Sequence, residues 1–289
     1  MSIDLLVPLD ASPFAEAAIP LASRLARDIP ARLHLIHIVE PLGEADPRRE
    51  TEDEEYPRLL AQEIGAEIGV ETISVRREGT VIDELRDYIE EAGIDLIIIA
   101  THGWGGLRKL WLGSIPEELI KGPEAPVITV RPGHAPISDA PLRHILLPLD
   151  RSELSESIFT QISVISGPET RLSLLHTVPG PVPNDPASIS YALTTDSEEL
   201  EDEQAEGLAY LERLADAFID RVGRIDTIVV TEPEITESIL DYADENDVDL
   251  IAITTHGRGG LRRSSIGSVA DELLRTAQIP VLVFRPPNP

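Results

Sequence analysis

The chain has 289 residues, 42% of them hydrophobic and 4% aromatic, so it can hold two aliphatic cores of ordinary domain size. It contains no cysteine, which excludes disulfides, thiolate metal sites and thiol catalysis. A formal charge of −28 repels nucleic acid and anionic membranes; it suits solubility, as in a saline cytoplasm, better than an acidic recognition surface.

The opening MSIDLLVPLD lacks the basic-then-apolar pattern of a secretory leader. No apolar run approaches the roughly 18 residues of a membrane span, so a cytoplasmic location without membrane contact is expected. Residues 3–9 form a short apolar strand that ends at Asp10. A helix is expected next, with Ser12 as N-cap, Pro13 at its first position, and Phe14, Ala18, Leu21, Ala22 and Leu25 on its buried face. ARLHLIHIVEP reads as a second strand, and EDEEYPRLLAQEIGAEIG as an acidic amphipathic helix with Pro57 near its start. VETISVRREG alternates as a strand does, and TVIDELRDYIEEAG is a helix closed by a left-handed Gly93. IDLIIIATHG is a continuous apolar strand, as expected of a central parallel strand buried on both faces. A glycine loop, a helix over 114–121 and a strand APVITVRP complete the first half. Strand and helix alternate throughout, which predicts a doubly wound parallel α/β sheet with right-handed crossovers.

The order then repeats. Asp150 answers Asp10, His176 answers His37, DENDVDLIAITTHG answers EEAGIDLIIIATHG, and IPVLVFRPP answers APVITVRP. The offset is 140 residues at the aspartates and 154 at the glycine loops. The second half has therefore gained residues in between. The polar stretch 183–204, PNDPASISYALTTDSEELEDEQ, is the expected place, as a mobile loop. The proline-rich run at 132–142 reads as a connection, giving domains at 1–133 and 142–289 with a linker at 134–141.

Both halves carry one glycine-punctuated basic stretch, THGWGGLRKLWLGS from Thr101 and THGRGGLRRSSIGS from Thr255. Each follows a buried strand and precedes a helix. In a parallel sheet, ligands bind outside the carboxyl ends of the strands. Free N–H groups and the dipole of a helix start favour an anion there, phosphate above all. Arg108, Lys109, Arg258, Arg262 and Arg263 concentrate positive charge at these points of an acidic chain. Ser114 and Ser268 can cap the helices or donate to a phosphate. The alternative is that these are loop glycines and N-caps alone. The spacing fits neither the Walker loop nor the dinucleotide-binding fingerprint.

The THG-x9-GS stretch, followed by a helix and a PV-x-x-x-R-P strand, resembles the universal stress protein family over nearly the whole chain, as two tandem domains. The resemblance implies Rossmann-like, HUP-type domains that bind ATP or AMP through the pattern G-x2-G-x9-G-S/T. Gly103, Gly113 and Ser114 match it in the first half, and Gly257, Gly267 and Ser268 in the second. Ala100 and Thr254 stand in place of the first glycine. The resemblance further implies that Asp10 or Asp150 holds the adenosine end and that Ile38 or Thr177 faces the adenine. The amide of Ile115 or Val269 would assist at the phosphates, beside His102 or His256. Alanine is a milder replacement than threonine, and the first half keeps Gly79 where the second reads TEPEITESIL, so the first half is the expected binder. Mg²⁺ could accompany ATP through its phosphates without a dedicated protein cage.

His102 and His256 have no serine nucleophile or second base at recognisable spacing, and His37 and His176 read as structural. Trp104 and Trp111 could cover a base or pack between domains. The leading reading is a binding protein that holds an adenine nucleotide and changes shape or protein partners, as yet unknown, with occupancy. A slow ATPase at the same loop and a stress protein with vestigial sites remain alternatives. The resemblance implies that the final strands, residues 126–130 and 280–284, pair antiparallel near Val130 and Val283, here as an internal pseudo-dimer since the duplication supplies both partners, with a further homodimer open through other faces.

Overall fold

The computed structural model of the chain describes residues 2–40, 47–101, 114–122, 125–133, 142–181, 197–255 and 266–286. Its contacts divide it into two compact units: Met1–Pro141 together with Leu274–Pro289, and Leu142–Leu273.

The first unit runs β1 (Ile3–Leu9), α1 (Ile19–Asp28), β2 (Ala31–Val39), α2 (Pro47–Ile68), β3 (Thr72–Glu78), α3 (Val81–Ala92), β4 (Leu96–Ala100), α4 (Ser114–Lys121) and β5 (Val127–Val130). The strand order is β3-β2-β1-β4-β5, and these five are mutually parallel. The order reverses between β1 and β4, which makes their carboxyl ends the topological switch point. β4 and β5 are buried at every residue, as their unbroken apolar sequences require of central strands. Helix α1 seals one face through Leu21, Ala22 and Leu25. Helix α3 ends at Gly93, whose φ of +65° supplies the left-handed cap.

The second unit contains β6 (His144–Pro148), α5 (Glu153–Glu156), α6 (Ile158–Ile165), β7 (Arg171–Pro179), α7 (Ser197–Phe218), β8 (Arg224–Glu232), α8 (Ile235–Glu245), β9 (Leu250–Thr254) and the larger part of α9 (Ser268–Thr276). Its parallel strands are ordered β9-β6-β7-β8, the counterpart of β4-β1-β2-β3.

Several local expectations are revised. The chain after Asp10 does not enter an α-helix at Pro13. It forms a 3₁₀ turn at Ala15–Ala18 and becomes α-helical at Ile19. Pro20, which has no N–H, cannot carry the α pattern backwards, so the preceding turn stays tight. Phe14 is consequently 39% exposed instead of buried. Pro57 lies inside α2, which begins at Pro47; the helix tolerates the loss of one N–H bond there. Of the stretch 183–204, residues 197–204 belong to helix α7, and residues 183–196 lie outside the described residues.

The last strand, β10 (Val281–Phe284), belongs with the first unit and pairs antiparallel with β5. Its register is Val283 to Val127, Leu282 to Ile128 and Val281 to Thr129. The centre is therefore Ile128 and Leu282, not Val130 and Val283. Pro280 would face Val130 and has no N–H to offer, which stops the ladder there. Leu282 is the repeat counterpart of Ile128, so the seam maps onto itself under the repeat. Arg131, just past β5, donates to the carbonyls of Leu274 and Arg275 at the end of α9, and Arg285, just past β10, donates to the Lys121 carbonyl at the end of α4. Both are cations at helix C-termini, where the dipole favours them.

At the amino end of the strands the repeats keep one network with different chemistry. In the first unit Arg32 grips both Asp4 oxygens at 2.7 Å, His34 bonds Asp4 at 2.9 Å, and Tyr88 bonds His34 at 2.6 Å. Burial alone would raise the Asp4 carboxyl; the Arg32 and His34 hydrogen bonds outweigh it and hold it below the usual carboxylate range. In the second unit His144 takes the place of Asp4 and Ser173 that of His34. His144 Nδ1 meets the Asn246 carbonyl at 2.9 Å, and its Nε2 meets the Ser173 hydroxyl at 2.7 Å, which Tyr242 bonds in turn at 2.9 Å. A carbonyl only accepts, so Nδ1 carries a proton; burial favours the neutral ring, in which Nε2 accepts from the Ser173 hydroxyl.

Two outcomes follow from this packing. Leu282→Ala should cost about 2–5 kcal/mol in denaturant titration, because the seam residue is wholly buried; a cost below about 0.5 kcal/mol, typical of a surface site, would show that β10 does not seat on β5. Burial holds His144 below its usual value of 6.5. The unfolded chain therefore binds the extra proton first. The His144 contribution is complete above about pH 6.5 and is lost as pH falls toward the folded value. Stability measured from pH 7.5 to 5 should drop in this window, and the drop should shrink in His144→Asn.

Candidate nucleotide site

The first unit's pocket is built on the turn that follows β1. Asp10 Oδ1 accepts from the Ser12 N–H at 3.0 Å and from the Ser12 hydroxyl at 2.5 Å. Ser12 Oγ in turn accepts from the Ala15 N–H at 3.2 Å. Ala11 between them has φ +59°, a left-handed conformation that costs a non-glycine residue roughly 1 kcal/mol. The second unit repeats the turn: Asp150 accepts from the Ser152 N–H at 3.1 Å and hydroxyl at 2.5 Å, and Arg151 has φ +65°. The same outlier at both aspartates marks a conformation held by design of the turn. Among the described residues, the turn engages one Asp10 oxygen, Oδ1.

His37 braces the strand end. Its Nδ1 donates to the Leu9 carbonyl at 3.0 Å, while the Tyr56 ring stands edge-on at 5.5 Å and the Tyr56 hydroxyl donates to Glu16 at 2.9 Å. Burial, with the Glu16 carboxylate beside it, pushes the Tyr56 phenol well above its usual range, so it remains a donor. His176 repeats the bond to the Leu149 carbonyl at 2.8 Å, with Tyr210 at 6.5 Å. Burial pushes the Tyr210 phenol up to about 12. Both histidines thus serve the framework behind the aspartates.

A cavity of about 110 Å³ opens at the carboxyl ends of β1 and β4. One water needs roughly 10–15 Å³, so the space suits a larger group. Asp10, Ile38, Ala100 and Ile115 line it together, as do Ser12, Phe14, Val81 and Leu85. The lining is mainly apolar with a few polar groups, the usual make-up of a small-molecule site. Ser114, exposed, opens helix α4 beside Ile115. Gly79 precedes α3 with φ +153°, a backbone conformation that disfavours a side chain, and a Cβ there would also require the Glu84 carboxylate, 2.6 Å away, to shift. His102, Gly103 and Gly113 lie outside the described residues, as do Trp104, Arg108, Lys109 and Trp111.

The second unit holds Asp150, Thr177 and Thr254 at the matching strand ends, and Gly267, Ser268 and Val269 at the start of α9. His256, Gly257, Arg258, Arg262 and Arg263 lie outside the described residues. The Thr177 hydroxyl meets Ser238 at 2.9 Å, a polar contact where the first unit has Ile38. Thr254 is buried at the end of β9 where the first unit has Ala100. Gly267 N–H donates to the Thr255 carbonyl at 2.7 Å, and a Cβ on Gly267 would stand 2.7 Å from the same oxygen. This glycine is required by close backbone approach, whatever the loop binds. Among the described residues there is no group of three His, Cys, Asp or Glu able to hold a metal ion, and no helix long and apolar enough to cross a membrane.

With this geometry in view, the chain matches the family model "Universal stress protein family" twice, over residues 2–131 and 141–285. The chain belongs to the universal stress protein family. A universal stress protein of Mycobacterium tuberculosis is 25% identical over 234 residues, covering 79% of this chain and 74% of the relative. A second one from that organism is 23% identical over 326 aligned positions, covering 99% and 96%. The crystal structure of a universal stress protein from Archaeoglobus fulgidus superposes with a TM-score of 0.69 at 16% identity, covering 98% of this chain and 96% of that one, which supports the tandem fold.

The sequence pattern puts Ser12 at a helix cap and Phe14 at helical spacing with Ala18, Leu21, Ala22 and Leu25; both line the cavity. The signal for Ser12 was present, since D-x-S recurs at Asp150. Phe14 carried none, because its exposure follows from the 3₁₀ turn.

Two substitutions separate turn strain from packing. Ala11→Gly relieves the left-handed φ and should stabilise the fold by up to about 1 kcal/mol in thermal melts; a loss would show that the turn is not strained. Gly267→Ala should destabilise by about 1–3 kcal/mol, since the obstructing atom is backbone.

Proposed function

We propose that the protein binds an adenine nucleotide, ATP or AMP, in the first unit's pocket and acts as a nucleotide-dependent regulatory or protective binding protein. The observation that carries this reading is the joining of Asp10, Ile38, Ala100 and Ile115 around one cavity at the switch point of the sheet. Apolar Ile36, Ile38, Val81 and Leu85 suit the faces of a base. The Asp10 carboxylate suits a ribose hydroxyl. The N–H groups at the start of α4, with Ser114, suit the phosphates. Gly103, Gly113 and His102 belong to the same loop in sequence and would close over the phosphates, with Mg²⁺ held by the phosphates themselves.

The second unit is the weaker binder in this reading. Thr254 places a branched side chain where Ala100 leaves room. Thr177 and Ser238 present hydroxyls where Ile38 presents a hydrocarbon edge. Pro233 and Glu234 stand where Gly79 and Thr80 do. Its Asp150, Gly267, Ser268 and Val269 keep the frame of a site, with His256 and Gly257 matching the motif in sequence, without the same base pocket.

Calorimetry and thermal melts test this directly. Ligand at about 100 times its dissociation constant adds about 2.7 kcal/mol, roughly 5–10 °C for a domain of this size. ATP or AMP should raise the melting temperature with one strong site per chain. Asp10→Ala should remove most of the shift and Asp150→Ala little of it. The opposite ranking would move the site to the second unit.

A further inference from the structure

We infer that Phe14 is a specificity-determining residue of the first unit's pocket, stacking its ring on the face of a planar nitrogen heterocycle. The inference rests on the nucleotide reading above and adds to it the residue that reads the base face. Phe14 is 39% exposed, and the other exposed large hydrophobic side chains among the described residues, Leu59, Leu208, Ile219 and Ile235, are aliphatic. Phe14 lines the same cavity as Asp10 and Ser12.

Its position is fixed by the turn. Ser12 is tied to Asp10 at both its N–H and its hydroxyl, Ala15 N–H is tied to Ser12 Oγ, and the Phe14 carbonyl accepts from the Ala17 N–H at 3.2 Å. The group that would hold a ribose and the ring that would hold a base thus sit four residues apart on one hydrogen-bonded segment. Among the described lining residues no other is aromatic, and Ile36, Ile38, Val81 and Leu85 are aliphatic. An aromatic side chain in an otherwise aliphatic lining favours a flat, polarisable group over an acyl chain or a bare sugar phosphate. At the offset that carries Asp10 onto Asp150, Leu154 takes the place of Phe14. The second unit keeps the turn and lacks the ring.

The test titrates AMP into the full-length protein and its Phe14→Ala, Phe14→Leu and Phe14→Tyr variants, with circular dichroism melts of each. Leucine keeps apolar bulk without a π face; tyrosine keeps the π face. Stacking of a base on an aromatic residue predicts that alanine and leucine both weaken AMP about tenfold or more, while tyrosine stays within about twofold of wild type. Leucine binding as wild type does would overturn the inference, since bulk would suffice. So would an alanine variant whose melting temperature falls while its AMP affinity holds, which marks a packing role alone. Wild-type protein that takes up neither AMP nor ATP would overturn the nucleotide reading together with this one.

Discussion

Asp10 spends one carboxylate oxygen on Ser12, and that pair of hydrogen bonds sets the geometry of everything at the mouth of the sheet. It holds Ala11 in a left-handed conformation and turns the chain sharply off the end of β1. The chain then runs through a 3₁₀ turn before α1, and Phe14 lines the pocket instead of the core. His37 supports the turn from behind through the Leu9 carbonyl. The aspartate–serine bonds, the left-handed residue and the histidine brace recur at Asp150, Arg151, Ser152 and His176, but there an α-helix starts directly at Glu153, so the turn belongs to the repeat and the delayed helix does not.

The two copies have diverged where a ligand would sit and where the strands begin, but not in the frame between. At the amino ends His144 and Ser173 stand in place of Asp4 and His34, and Arg171, the counterpart of Arg32, pairs instead with Asp226 at 2.5 Å. At the carboxyl ends Ala100 and Ile38 became Thr254 and Thr177. Strand order and the aspartate turn survive both changes, because they depend on buried Leu, Ile and Val and on local backbone bonds.

Much of the fold was legible in the sequence because its signals are local and strong. The unbroken apolar β4, the Gly93 cap and the strand–helix alternation each follow from residue type and spacing. The antiparallel seam was legible only through the family resemblance and the duplication together, and its register needed one further fact, that Pro280 cannot donate. The helix start after Asp10 was misread because Ser12 followed by Pro13 is a good start, and the Ser12 hydroxyl does accept the Ala15 N–H, but Pro20 keeps the next turn 3₁₀. The pocket was legible as a set of positions carried over by resemblance. Its aromatic wall was not, since exposure depends on where the helix begins.

The central claim is that the first unit's pocket is an adenine nucleotide site. Native mass spectrometry of protein purified without added ligand, followed by mass analysis of whatever denaturation releases, tests it most directly. The account predicts a mass increment equal to AMP or ATP, one per chain, that disappears in Asp10→Ala and persists in Asp150→Ala. A wild-type chain that carries no nucleotide and takes up none when AMP or ATP is added would contradict it.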